Sequence, residues 1–485
     1  MTNINKVQHR SLFIQNIRGV FKLSQYLKLG DDLSPVQLVA HGDNGTFKVM
    51  GGCSWANADD EFNSEFLRSR IEPWLTALFQ SEHLNLLVGA GLSSAIQESA
   101  TGQRPQGMGW IDDLKVCKSE IDAYVEKTAK AAGREKGNIE DQVRSINELI
   151  KGLEILVSLN PTPIPPPAPN PPYRYFPTEL TALREELSRC LKLFADSISN
   201  GENLIRNAES EAKTKTFNYL VNFLMSFSSR AATRDRLHIF TTNYDRIIEM
   251  GAELAGLRLV DRFVGNIAPI FRSSRLEVDY HYNPPGIRGE PRYLEGVARF
   301  TKLHGSLDWY ASDGAIRRFG LPFGATSITP FLQAESAGAA DYQQLMIYPN
   351  SVKDRETSEY PYVELFRDLA SATCRPNSTL VTYGYSFGDE HINRVLLDML
   401  TIPSTHIVII AYGDPLGRIM NFIKDSGRKA QISLLLGDHF GDLTTLVDCN
   451  LPKAAIDRTS IRMTELLKAR GLYPESFQDK SGDKK

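Results

Sequence analysis

A chain of 485 residues with 42% hydrophobic and 23% charged residues has ordinary globular usage, enough for one large core with insertions or for two domains, and this excludes disorder throughout. A formal net charge of −3 excludes long-range attraction to nucleic acid or anionic membrane as a property of the whole molecule, while a local basic patch stays open. The five cysteines, Cys53, Cys117, Cys190, Cys374 and Cys449, are scattered, odd in number and without a C-x-x-C pair, so buried reduced thiols are expected rather than a disulfide framework or structural zinc site.

Residues 1–20 carry charges and amides throughout, and a run of about 18 apolar residues occurs nowhere, so the expectation is a cytoplasmic chain without signal peptide or membrane segment. Residues 13–55 mix short apolar runs with turn signals, Asp43-Asn44-Gly45 and Gly51-Gly52, which predicts a few strands or an extended arm. Leu67, Ile71, Trp74, Leu75 and Leu78 recur at helical spacing and predict a helix over 65–79, kinked or restarted at Pro73. The apolar run at 84–88 has the character of a buried parallel strand and ends in Gly89-Ala90-Gly91. Beyond Trp110 the sequence is helical and polar to about Leu159, breaks at a proline-rich stretch over 161–172, and is helical again over 179–227. That proline stretch reads as a stiff connector between helical segments, with a ligand for a proline-binding module as the other reading.

Strand and helix signals then alternate: strands at 237–241, 380–383, 406–411 and 432–436 precede helices beginning near Arg246, Glu390, Leu416 and Leu443. The expected fold is α/β, a Rossmann-like parallel sheet with a large inserted helical region at about 112–235. Residues 1–80 stand as an N-terminal segment, 81–450 as the nucleotide-binding domain, and 451–485 as a C-terminal helix and tail. Ligands on such sheets lie beyond the carboxyl ends of the strands.

Five segments occupy those ends. In Gly89-Ala90-Gly91-Leu92-Ser93-Ser94 the glycines permit close approach of a pyrophosphate and Ser93 or Ser94 can cap a helix, though such turns also occur without a ligand. Thr241-Thr242-Asn243-Tyr244-Asp245 clusters hydroxyl, amide and carboxylate groups suited to ribose hydroxyls and a water; a helix cap by Asn243 or Asp245 explains the same residues. In Lys302-Leu303-His304-Gly305-Ser306 the histidine can take a proton near neutral pH or be a satisfied structural residue. Gly384 and Ser386 of Tyr383-Gly384-Tyr385-Ser386-Phe387-Gly388-Asp389 can meet a nucleotide, with Asp389 as a cap for the next helix. Asp414, in Tyr412-Gly413-Asp414-Pro415, suits a ribose diol or a turn.

In this order, G-A-G-x-S, T-T-N-Y-D, K-L-H-G-S and G-Y-S-F-G-D resemble the sirtuin-like family, and its bacterial branch more than its protein-deacylase branch. The resemblance runs from Leu84 to about Asp448 and leaves out the helical insertion. It implies NAD held on a Rossmann-like sheet with Gly89, Ala90, Gly91 and Ser93 near the pyrophosphate, Thr242, Asn243 and Asp245 facing the nicotinamide ribose, and Gly384, Ser386 and Asp414 at later nucleotide contacts. His304 would be the general base and Asn243 would orient the attacking water. Deacylase sirtuins usually carry a four-cysteine zinc module between the second and fourth motifs, where this chain has Cys374 alone, and Gly107-Met108-Gly109-Trp110 resembles the G-x-x-W pattern of bacterial relatives. The implied activity is that of an NAD+ glycohydrolase releasing nicotinamide and ADP-ribose without a metal, in antiphage defence (abortive infection) by NAD depletion. The implied partners are further copies of the chain and a HerA-type ATPase or short Argonaute. Protein deacylation, ADP-ribosyl transfer, and nucleotide sensing or nucleic-acid processing without NAD consumption are the other readings.

Overall fold

The computed structural model describes residues 25–30, 32–41, 45–105, 109–131, 134, 136–159, 176–230, 234–274, 278–282, 292–335, 341–347 and 360–453. The proline-rich stretch at 161–172, Gly107 and Met108 of the G-x-x-W pattern, and the tail beyond 453 lie outside the described residues.

An eleven-stranded sheet organises the chain. Its parallel part consists of β5 (His83–Val88), β6 (Leu237–Thr241), β7 (Arg258–Val260), β12 (Val297–Lys302), β16 (Ser378–Tyr383), β17 (His406–Ala411) and β18 (Ile432–Leu436) in the order β18-β17-β16-β5-β6-β12-β7. The alternation of strand and helix signals is thus realised as a Rossmann-like sheet. β1 (Gln25–Lys28), β2 (Val36–His41), β3 (Thr46–Val49) and β4 (Glu61–Asn63) continue it as an antiparallel meander, with β1 paired to β18. The strands anticipated in the N-terminal segment therefore extend the same sheet.

Successive residues of a strand face opposite sides, and both sides of the central strands are covered. On one face Leu86, Val88, Ile239 and Val408 pack against α1 (Ser64–Phe79) and α2 (Ala90–Thr101). α1 runs unbroken through Pro73. On the other face Leu87, Phe240, Leu380 and Ile409 meet helices from the C-terminal half of the chain.

The inserted region contains α3 (Lys118–Ala131), α4 (Ile139–Leu159), α5 (Phe176–Arg206) and α6 (Ser210–Ser228), of which α6 packs, with α7 (Ile247–Leu254), against the core of the main sheet beside α1 and α2. A second sheet, of five strands, was not anticipated: β8 (Phe263–Val264), β9 (Ile270–Phe271), β13 (Gly305–Ser312), β14 (Ala315–Arg318) and β15 (Leu345–Ile347). β10 (His281–Tyr282) and β11 (Arg292–Tyr293) form a separate ribbon. A third apolar cluster joins Val125, Ile146 and Leu187 of the insertion to Leu307, Tyr310 and Ile347 of the small sheet. The insertion is thereby seated on the small sheet and not left as a free-standing bundle.

The chain direction across the large sheet reverses between β5 and β16. β5 continues through β6 to one side, and β16 continues through β17 to the other. Such a reversal opens a crevice at the carboxyl ends of the two strands. Val88 lies level with both Thr241 and Tyr383, and Thr241 with Lys302, so the turns carrying the motifs leave the sheet side by side.

The seam to the N-terminal meander contains a half-buried imidazole of use as a probe. His406 Nε2 lies 2.8 Å from Ser433 Oγ, which also accepts from Trp74 Nε1 at 2.9 Å. Burial, and secondarily Lys28, lowers the imidazole from its ordinary 6.5 to about 4. The folded state then binds fewer protons than the unfolded chain between those values. The stabilising contribution is complete above pH 6.5 and is lost as pH falls toward 4, roughly 3 kcal/mol in all. Urea unfolding at pH 7 and 4.5 should show a loss of stability that His406→Gln reduces by about 2 kcal/mol; an identical loss in the variant would refute a neutral His406 in the folded state.

Candidate functional site

The first and fourth motifs meet through their backbones. Gly91 N–H donates to the Gly384 carbonyl at 3.0 Å, and Gly89 N–H to the Tyr383 carbonyl at 3.0 Å. A Cβ on Gly91 would fall 2.5 Å from Gly384 Cα, and Gly384 has a φ of +61°, a conformation that L side chains rarely adopt. These glycines are required by the approach of the two turns to each other, independently of any ligand. Gly89 is also the N-cap of α2 and makes no side-chain capping bond, so the start of that helix retains its positive dipole end at the crevice, with Ala90 exposed.

The second motif is tied into this contact. Asn243 is buried, and its Nδ2 donates to the Gly89 carbonyl at 3.0 Å and to Ser93 Oγ at 2.9 Å. The Ser93 hydroxyl donates to Asp245 Oδ2 at 2.6 Å, and Asp245 Oδ1 accepts from Ile247 N–H at 3.1 Å. Both amide hydrogens of Asn243 are thus committed inward, which leaves Oδ1 as the acceptor end of the side chain. Asp245 thus bonds the first turn of α7 with one oxygen and ends a chain of polar contacts from Asn243 with the other. Thr242 is half-buried, and its N–H donates to the Val88 carbonyl at 3.2 Å.

The intervening residues face the insertion. Tyr244 packs edge-on against Phe194 of α5 with ring centroids 5.5 Å apart, and its hydroxyl lies 3.4 Å from Glu140 of α4. Burial, reinforced by Glu140, raises the phenol well above the ordinary tyrosine range. Arg246 N–H donates to Glu202 of α5 at 2.9 Å, and its guanidinium binds the same carboxylate. Beneath the loop, buried Lys302 donates to the Asp245 carbonyl and, at 2.9 Å, to Glu249. Sequence reasoning missed Glu202, although a signal exists: it falls on the apolar stripe formed by Leu187, Leu191, Phe194, Ile198 and Ile205, where an unpaired carboxylate is costly.

His304 stands where the chain leaves β12 for β13. Gly305, with φ +90°, follows because a Cβ there would lie 1.9 Å from the Met346 carbonyl oxygen; the glycine serves the junction between the two sheets. The side chain of His304 is 14% exposed, so it is reachable from solvent, and its Nε2 lies 2.8 Å from Asp389 Oδ2. Asp389 also caps α9 (Glu390–Met399), counting α8 (Tyr362–Thr373) before it: Oδ1 accepts from His391 N–H at 3.2 Å. The rings of Tyr244 and His304 are 6.3 Å apart, which brings the second, third and fourth motifs together.

Two of the anticipated residues stand elsewhere along the same edge. Ser386 is exposed beside Gly388, near the Arg418 guanidinium. Asp414 accepts from Ile419 N–H at 3.2 Å and Met420 N–H at 3.0 Å, so its carboxylate caps α10 (Arg418–Ser426). Among the described residues no His, Cys, Asp and Glu side chains group in threes to hold a metal ion, and no helix is long and apolar enough to cross a membrane.

A SIR2-like domain is matched at residues 237–430, from the first residue of β6 to the turn before β18. The matched part contains the second, third and fourth motifs and Asp414, while Gly89 to Ser93 precede it. It points to NAD-related enzymatic activity in general. No curated protein matches the chain.

Removing a carboxylate from a buried pair strands the other charge. Glu202→Ala should therefore cost about 3 kcal/mol in chemical denaturation; a loss under about 0.5 kcal/mol, within the range of an ordinary surface change, would show that α5 does not hold the Arg246 loop.

Proposed function

We propose that the chain is an NAD+ glycohydrolase, with residues 81–450 as its sirtuin-like NAD-binding unit and 112–235 inserted into it. The observation that carries this reading is the fixed amide of Asn243, both of whose hydrogens are bound to Gly89 and Ser93, on the strand end next to the one that carries His304. Such an amide presents Oδ1 as an acceptor that can hold a water without reorienting.

The pyrophosphate is assigned to the start of α2 at Gly89, Ala90 and Gly91, where the helix dipole favours anionic oxygens. Ser93, Thr242 and Asp245 face the nicotinamide ribose, while Gly384, Ser386 and Asp414 line the edge taken by the rest of the nucleotide. The reaction requires an electron-poor ribose carbon and one water. Water attacks C1′ as the bond from C1′ to the pyridinium nitrogen breaks; the bonding pair neutralises nicotinamide, and the water proton passes to the His304 imidazole. The products are nicotinamide and ADP-ribose, and the transition state has oxocarbenium character. No metal enters this scheme.

The resemblance to the bacterial sirtuin-like branch supports a cytoplasmic antiphage effector that depletes NAD, working as a homo-oligomer and with a HerA-type ATPase or short Argonaute. An NADase of this kind must be held inactive until triggered. The grip of α4 and α5 on Tyr244 and Arg246 supplies a route from a partner bound at the insertion to Asn243.

The test is nicotinamide release from NAD+ by the purified chain, alone and with the product of its neighbouring gene. Asn243→Ala and His304→Ala should each lower the rate by about 10²- to 10⁴-fold. Bound NAD+ that is never cleaved under either condition would overturn the glycohydrolase reading.

A further inference from the structure

We infer that Asp389 is a positioning residue for His304, fixing the tautomer and orientation in which the imidazole accepts a proton. The inference rests on the proposed role of His304 as the base, and it adds a residue that motif reasoning left as a helix cap.

The geometry divides the Asp389 carboxylate between two tasks. Oδ1 takes the amide of His391, as a cap does, and Oδ2 takes His304 Nε2 at 2.8 Å across 85 residues of sequence. A cap needs one oxygen; the second is directed to the only imidazole among the proposed site residues. The carboxylate side chain is 6% exposed, so water screens the contact weakly. Asp389 is itself held from behind, because Tyr385 donates to its carbonyl at 3.2 Å and Asn393, in the same helix, donates to the Phe387 carbonyl at 3.0 Å. Phe387, with φ +53°, turns the chain so that the carboxylate faces β12.

An ionised carboxylate accepts hydrogen bonds and cannot donate them, so the proton on this imidazole resides on Nε2. The lone pair is then on Nδ1, the nitrogen that takes the water proton. When it does, the positive charge that develops on the ring lies beside a fixed negative one, which stabilises the protonated form. Asp389 touches no reacting atom in this scheme.

Titratable or charged groups near the pair, among the described residues, include Tyr244, Tyr362, Tyr385, Arg418 and, in the first turn of α9, Glu390 and His391. Tyr244 and Tyr385 are held well above the ordinary tyrosine range by burial and stay neutral. Tyr362 lies beside Gly305, and Arg418 acts on the Tyr385 side of the turn.

Asp389→Asn and Asp389→Ser test the assignment, because both replacements keep a good N-cap and so preserve α9. Two readouts separate the site reading from this inference. The first is histidine-selective NMR of the full chain, with His304 assigned by its loss in His304→Asn. In the wild type the neutral ring should be the Nε2–H tautomer, and in both variants the ring should titrate at least 0.5 pH units lower, with a change in tautomer balance. This measurement needs no turnover. The second is the pH dependence of nicotinamide release: kcat should fall about 10- to 10³-fold with KM changed less than about threefold, and the acid limb should move to lower pH with the NMR titration.

A wild type that leaves NAD+ intact but shows the NMR shift would sink the glycohydrolase reading and retain the His304–Asp389 pairing. Variants with a lower melting temperature but unaltered His304 titration and kcat would show a structural cap only and overturn the inference.

Discussion

Gly91 and Gly384 approach each other so closely that the backbone of one turn donates a hydrogen bond to the other, and neither position has room for a β-carbon. The two turns belong to strands adjacent in space but separated by almost 300 residues of sequence. Their contact fixes the distance between the halves of the crevice. The start of α2 is placed by Gly89 and Gly91; Ser93 follows on its first turn, and Asn243 reaches both the Gly89 carbonyl and the Ser93 hydroxyl. The continuation past Gly384 leads through Tyr385 and Phe387 to Asp389 and hence to His304. The glycine contact therefore lies between the backbone that carries the Ser93–Asn243 bonds and the turn that carries Asp389.

The strand alternation, the boundaries of β6 and β17, and the placing of the motif turns at carboxyl ends were legible because short, largely apolar runs that stop at polar or turn-forming residues have few other interpretations. The small sheet was not, for a physical reason: β8 and β9 contribute two residues each and β15 three, too few for a period of two to emerge. Its longest strand, β13, buries Ser306 and Asp308 along with its apolar residues because both faces are covered, and this erases the polar alternation. The meander over 25–63 was visible as strands, but that it extends the main sheet is a property of the exposed edge of β18, encoded some 400 residues away.

The site was legible to a similar depth. Asn243, Ser93 and Asp245 were recognisable by kind, and the structure joins them in one relay. Asp389 was recognisable only as a cap, since sequence gives a carboxylate one local role and is silent on its second oxygen. Asp414 was suited equally to a ribose or a turn, and the amides of Ile419 and Met420 occupy both its oxygens.

The segment 243–246 has two working sides. Asn243 and Asp245 turn toward Ser93 and the strand ends, whereas Tyr244 and Arg246 turn toward α4 and α5, so alternate residues of one short loop bind two different bodies of the protein. A loop pinned on one side only could relax if the other moved. Here the buried Glu202–Arg246 pair, the Phe194–Tyr244 contact and Lys302 beneath the carbonyl of Asp245 leave no side free. Displacing α5 would have to break a buried ion pair or carry the loop with it, and a buried pair costs about 3–5 kcal/mol to break. The helical insertion is thus continuous through packed contacts with the loop that carries Asn243, and the enclosed core of Leu307, Tyr310 and Ile347 beneath it makes that continuity stiff.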